Sequence, residues 1–191
     1  MDITIICSNQ NHKVMPYLEK WKIVNSSNHT ISIVHKSSEI IQGDILFLIS
    51  CLEKIPKTIR NKFKHVLVIH ESDLPYGKGW SPIQWQILEG KNSIPITLLD
   101  AADKIDSGDI WDKRYVELEN HELAKEINAK IFPVKLDLMD FAIRNMDQIK
   151  KSVQKEIDEP HYRKRVSEDS RIDPNKSISE QFDLLRIADN E

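Results

Sequence analysis

His65–Pro82, read HVLVIHESDLPYGKGWSP, joins a short apolar run, Val66-Leu67-Val68-Ile69, to a loop that opens on His70 and carries both Gly77 and Gly79. The chain has only five glycines in 191 residues, so two in one loop mark a place where the backbone needs room. The run is short and β-branched, which reads as a buried strand ending at the histidine. Similar runs precede it. Ile3 to Cys7 is continuous and apolar, HTISIVHKS (29–37) alternates with period two, and DILFLIS (44–50) is again continuous. Segments of helix length, KVMPYLEKW (13–21) and IPKTIRNKF (55–63), lie between them. Apolar strands separated by helices predict parallel βαβ units sheltered on both faces. The expected fold is α/β and Rossmann-like, with a mostly parallel sheet and helices on both faces. Such sheets bind ligands beyond the carboxyl ends of their strands, where Cys7, Ser50 and His70 stand.

Beyond the loop, SPIQWQILEG (81–90) predicts a helix with Ser81 as N-cap, Pro82 at its first position and Gly90 past its end. IPITLLDAADKIDSGDIW (94–111) reads as strand, acidic turn and strand. HELAKEINAKIFPVKLDLMDFAIRNMDQI (121–149) has helical periodicity, with Pro133 expected to kink or divide it. After Lys150 the pattern dissolves into charges of both signs until a short amphipathic segment, ISEQFDLLRI (178–187). The expected organisation is a main α/β domain over 1–150 and a polar C-terminal extension over 151–191 that packs on or near it.

Composition narrows the function. The formal net charge is −3, with 30% charged and 40% hydrophobic residues, and gives no basic field for a phosphate backbone. Nucleic acid is therefore not the expected partner. No apolar run approaches the ~20 residues that span a bilayer, so no membrane partner is expected. The N-terminus runs directly into a strand pattern and does not read as a signal peptide. Two cysteines, Cys7 and Cys51, read as free thiols suited to a reducing cytoplasm, the expected location. The seven histidines show no ligand spacing, and no metal site is predicted.

The titratable candidates are His70 and the acidic turn Asp103–Asp109. A histidine at a strand end titrates near neutrality and can give or take a proton. A neighbouring carboxylate would orient the ring and stabilise its charged form. Such a pair suits acyl transfer to an amine, in which one nitrogen loses a proton and another gains one. Spacing alone leaves the bland readings open: a structural histidine and an ordinary DSGD turn.

HESDLPYGKGWSPIQWQILEG followed by PITLLDAADKIDSGDI resembles the folate-dependent formyltransferase family. Its pattern is Asn-x-His, then x-Ser-x-Leu-Pro, then Gly-x-x-Pro, and downstream Asp-x-Gly. Here the matching residues are His70, Ser72, Leu74, Pro75, Gly79 and Pro82, then Asp106 and Gly108. The resemblance is clearest over 66–111 and implies transfer of a formyl group from N10-formyltetrahydrofolate to a primary amine. By the same resemblance His70 and Asp106 form the acid–base pair, and Leu67, Val68, Ile69, Asp100, Ala101, Ala102, Asp103 and Asp109 form the folate walls. Gly77 and Gly79 are expected to let the backbone approach the ligand. The asparagine position is occupied by Val68, which leaves three readings: protonated His70 stabilises the oxyanion, another donor such as Ser72 does, or the protein binds without catalysing.

The amine is argued from the surroundings. Methionyl-tRNA formyltransferases resemble the core but carry a further domain and a basic face, which this chain does not match in length or charge. HYRKRVSEDSRIDPNKSISEQFDLLRI (161–187) is similar in part to the tail of bacterial nucleotide-sugar N-formyltransferases, which act in surface polysaccharide or flagellar glycan synthesis. Ser72, Tyr76, Gly77, Lys78, Gly79 and Trp80, with Tyr162, Arg163 and Arg165, are the candidate substrate-binding residues. Tyr162 would stack a base, and the arginines would take phosphates. The alternative for YRKR is a self-paired surface stretch. The loop resembles that of short formyltransferases of pseudaminic-acid-type pathways. The implied acceptor is a UDP-linked 4-amino-4,6-dideoxy sugar, with a carrier-bound aminoacyl group as the alternative. The tail is read as a homodimer surface or as one that lacks a strand.

Overall fold

The computed structural model describes residues 1–158 and 161–188. Residues 159–160 and 189–191 of the expected extension thus lie outside the described residues. Six strands form one sheet: β1 (Asp2–Ile6), β2 (Thr30–Val34), β3 (Gly43–Leu48), β4 (Phe63–His70), β5 (Ser93–Asp100) and β6 (Ile110–Glu117). Their order is β2-β1-β3-β4-β5-β6. The first four are parallel to one another, β5 pairs antiparallel with β4, and β6 pairs antiparallel with β5 and so runs in the direction of the first four. The mostly parallel α/β sheet read from the apolar runs is therefore what folds, with an antiparallel edge added by the acidic turn.

Helices α1 (Met15–Asn25) and α4 (Ala124–Asn145) cover one face, where Leu18, Trp21, Ile131, Leu138 and Met139 pack on Ile5, Phe47, Leu67 and Ile69. Trp21 Nε1–H donates to Asp140 Oδ1 at 2.7 Å and ties the two helices together. The other face carries α2 (Lys57–Arg60), whose Ile59 joins a smaller cluster with Ile6, Leu48, Ile55 and Val66. Alternate residues of β4 thus serve opposite layers, as strand geometry requires. Among the described residues no helix is long and apolar enough to cross a membrane.

One local expectation is narrowed and another changes. Pro133 does not divide α4, which runs unbroken from Ala124 to Asn145. A mid-helix proline costs about 3 kcal/mol. Each large apolar side chain buried by the helix returns about 1.5–3 kcal/mol, so its long buried stripe outweighs the break. Ser81 does not cap α3 (Pro82–Leu88): it sits at φ 52° and makes no side-chain cap bond. Pro82 at the first position and Gly90 at φ 78° after the end do behave as read.

Among its described residues the C-terminal segment returns repeatedly to the body. Ser152 forms an isolated bridge with Ile110 on the edge strand, and Tyr162 bridges Gly79 in the loop after β4. The short helix α5 (Phe182–Arg186) inserts Arg186, 2% exposed, which donates to the carbonyls of Glu119 and Glu122.

Candidate active site

His70 is the last residue of β4 and Asp106 lies in the turn between β5 and β6. Although far apart in sequence, they meet with His70 Nδ1 3.7 Å from Asp106 Oδ2, each side chain only 8% exposed. His70 Nε2 stands 3.0 Å from the Gly77 carbonyl. A carbonyl can only accept, so Nε2 carries the hydrogen, and Nδ1 is the nitrogen free to gain or lose a proton. Asp106 adopts φ 52°, a left-handed conformation that aspartate tolerates better than most residues. Its Oδ2 accepts the Gly79 N–H at 3.0 Å. The turn is held from below as well. The Asp100 N–H donates to the Asp109 carbonyl at 2.9 Å, and Gln154 Nε2 donates to the carbonyls of Asp106 and Gly108. Gly108 is obligatory here, since a Cβ would lie 1.8 Å from the Asp100 carbonyl oxygen.

A cleft of about 770 Å³ runs over this pair, across the carboxyl ends of β3 and β4. Of the residues singled out in the sequence, it is lined by Val68, Ile69, His70, Gly79, Trp80, Asp100, Ala101, Ala102, Asp106, Tyr162 and Arg163. On the face shared by Val68 and His70 its wall is apolar, with Leu48, Ile55, Ala101 and Ile105. The volume is that of a site for a drug-sized ligand, and the apolar wall suits a flat heterocycle.

Other candidates stand elsewhere. Leu67 is fully buried in the core. Ser72, 1% exposed, donates to the Tyr76 carbonyl at 2.9 Å while its own carbonyl accepts from Thr97 Oγ1. Tyr76 is 50% exposed, and neither it nor Lys78 borders the cleft. Asp103 does not border the cleft but pairs with Arg60, which does and whose Nη1 also donates to the Ala101 carbonyl. Asp109 contributes its carbonyl to the turn, away from the cleft.

The glycines have a reason other than ligand approach. A Cβ on Gly79 would lie 2.3 Å from the Tyr162 carbonyl oxygen, and one on Gly77 would lie 3.0 Å from Ser72 and Tyr162 atoms. The close neighbour is the returning chain. Tyr162 and the arginines are likewise engaged. The Tyr162 ring stacks on Trp85 with centroids 6.3 Å apart, and its hydroxyl donates to the Glu89 carboxylate. Arg163 forms a two-pronged pair with Asp169, holding that carboxyl well below its usual range. Arg165 donates to the Asp169 carbonyl and Ser170, and both guanidiniums lie over the Trp85 ring. Lys164 lies over Trp80 at 5.4 Å.

Sequence reading passed over three residues of this region. Gln154 braces the Asp106 turn from a segment with no sustained pattern. Glu71 and Lys135 form an ion pair within the cleft, with side chains 14% and 3% exposed. The one available signal was a lysine on the apolar stripe of α4. Burial alone would raise the Glu71 carboxyl, but the charges of Lys135 and then His70 bring it below its ordinary value. Among the described residues no group of three or more His, Cys, Asp or Glu could hold a metal ion.

A methionyl-tRNA formyltransferase from Rickettsia felis (strain ATCC VR-1525 / URRWXCal2) is 33% identical over 126 residues, covering 64% of this chain and 40% of the relative. The chain spans less than half the length of the curated relatives it matches. The solved methionyl-tRNA formyltransferase from Clostridium thermocellum superposes with a TM-score of 0.84 at 25% identity, over 100% of this chain and 84% of that one. A sugar N-formyltransferase from Shewanella sp. FDAARGOS_354 shares the fold, with a TM-score of 0.69 at 16% identity over 98% and 87% of the two chains. The family profile described as formyl transferase matches residues 5–139, which includes β4, the loop, His70 and Asp106, and the chain belongs to the formyl transferase family.

Proposed function

We propose that this cleft moves a formyl group from N10-formyltetrahydrofolate to the primary amine of a nucleotide-linked amino-deoxy sugar. The observation that carries the reading is the pairing of His70 Nδ1 with Asp106 at 3.7 Å, both nearly buried and facing one cleft. The apolar face of that cleft suits the folate heterocycle, with Val68, Ala101 and Ala102 as walls. When bound, the cofactor supplies the electrophilic formyl carbon. His70 Nδ1 takes a proton from the acceptor amine and returns one to the departing nitrogen, while Asp106 faces the positive charge that arises on the ring. Val68 offers no hydrogen-bond donor, so the imidazolium of His70 serves in place of the family's amide. Residues 1–150 act as the catalytic domain and 151–191 as an extension that packs on it. The bridges at Ser152 and Tyr162 and the buried Arg186 support that division.

The sugar acceptor is supported by the net charge of −3, which suits a small substrate better than a nucleic acid. A UDP-linked 4-amino-4,6-dideoxy sugar is the specific acceptor that this reading selects. The curated relatives favour a second reading, an aminoacyl group on a carrier, tRNA among them. Incubation with formyltetrahydrofolate and a panel of 3-amino- and 4-amino-sugar nucleotides, followed by mass analysis, separates these. Gain of one formyl group on a sugar supports the first reading. Folate binding with no formylated sugar, and formylation of an aminoacylated carrier, supports the second. Binding without any transfer identifies a non-catalytic member.

A further inference from the structure

The cleft has two sides. Along β4 the side chains alternate, so His70 shares the face of Val68, while Glu71 shares the face of Ile69 and meets α4. On that second side lie Glu71, Lys135, His12 and Asn128. Lys135 interrupts a buried apolar stripe that includes Ile131, Phe132, Leu138 and Met139. An ion pair this deep is a poor stabiliser compared with apolar packing at the same place, so fold stability gives no reason for it. Charges retained in a cleft beside a catalytic pair mark function instead.

Resting on the formyl-transfer reading above, we propose that Glu71, paired with Lys135, receives the acceptor's amino group as its ammonium ion and presents it to His70. The carboxylate suits the task. Lys135 and the backbone amide of Glu71 itself engage it. A carboxylate has about four lone-pair positions, which leaves room for an incoming N–H. Although their side chains leave opposite faces of β4, His70 and Glu71 both line the cleft at the strand's end. Of the two protons the ammonium loses, the first leaves through His70 to solvent, and the second, shed after attack on the formyl carbon, is relayed by His70 to the departing folate nitrogen. Lys135 is a positioning residue: it fixes the carboxylate and keeps it charged. His12 completes the wall as a neutral donor. Its Nδ1 accepts the Val14 N–H at 3.1 Å, leaving the hydrogen on Nε2, and burial and then the Lys135 charge push its pKa down. An ammonium receptor beside neutral polar donors matches an amino sugar: one charged nitrogen among hydroxyls.

The test compares binding of a UDP-linked 4-amino-4,6-dideoxy sugar with binding of its N-acetylated form, by calorimetry, to the intact chain. The wild type binds the free amine at least ~10-fold tighter, the worth of a charge-assisted hydrogen bond. Glu71→Gln removes the preference. Because that variant leaves Lys135 buried without a partner, the double variant Glu71→Gln/Lys135→Met is measured beside it and loses the preference too. Binding of 5-formyltetrahydrofolate stays within about twofold in both, since the folate wall lies on the other face. A preference that survives in both variants, or is absent from the wild type because the two forms bind equally or not at all, overturns the proposal. Mass analysis of formyl transfer in the same samples keeps the two readings apart. Discrimination without transfer sinks the formyl-transfer reading alone, and transfer without Glu71 dependence sinks this one alone.

Discussion

Asp106 Oδ2 accepts the Gly79 N–H at 3.0 Å, and this same oxygen stands 3.7 Å from His70 Nδ1. One carboxylate oxygen thus aims at the His70 imidazole and pins the loop that follows it. Loop and turn cannot move independently.

That shared oxygen makes Asp106→Asn informative. The amide keeps an oxygen for Gly79 but loses the charge facing His70. We expect kcat for formyl transfer to fall about 10²–10⁴-fold, as for loss of a general acid or base, and His70→Asn to match it. Thermal midpoints of both variants should stay near that of the wild type. Additive losses in the double variant would show that the two do not act as a pair.

Gly79→Ala tests the attachment of the C-terminal segment. The added Cβ falls 2.3 Å from the Tyr162 carbonyl oxygen at φ 107°, where an L-residue is strained. The Tyr162 bridge should open, with a stability loss of more than about 1 kcal/mol. Trypsin should then cut at Arg163–Arg165 faster than in the wild type. Unchanged proteolysis would mean the segment is held without the bridge.

Lys135→Met leaves Glu71 deep in the cleft without its cation. Breaking such a pair costs about 3–5 kcal/mol, measured by urea unfolding. Adding Glu71→Gln should restore stability to near the wild-type value, because both charges are then gone. A single variant as stable as the wild type would show that water already satisfies Glu71.

Acid should weaken the fold through His12. Burial, and then the charge of Lys135, lower its pKa below the ordinary 6.5 in the folded protein. The unfolded chain therefore binds a proton that the folded one refuses. This contribution to stability is complete above pH 6.5 and is lost as the pH falls toward the folded-state value. The urea midpoint should drop between pH 7.5 and 5.5, and drop less in His12→Asn, whose side-chain oxygen can still accept the Val14 N–H. Equal slopes would assign the acid dependence to other groups.

The apolar runs at residues 3–7, 44–50 and 66–69 determined the sheet, because a strand covered on both faces needs unbroken apolar sequence. His70 and Asp106 were legible through their motifs, each being a short local pattern tied to a strand end or a turn. The Glu71–Lys135 pair was not legible, since an ion pair forms between two surfaces whose register only packing sets. Gln154 was hidden for the same reason: its bonds go to the carbonyls of Asp106 and Gly108, which no spacing along the chain announces. Gly77 and Gly79 were found from sequence, yet what crowds them was not. Glycine reports that space is short, and the tertiary fold alone determines that Tyr162 fills it.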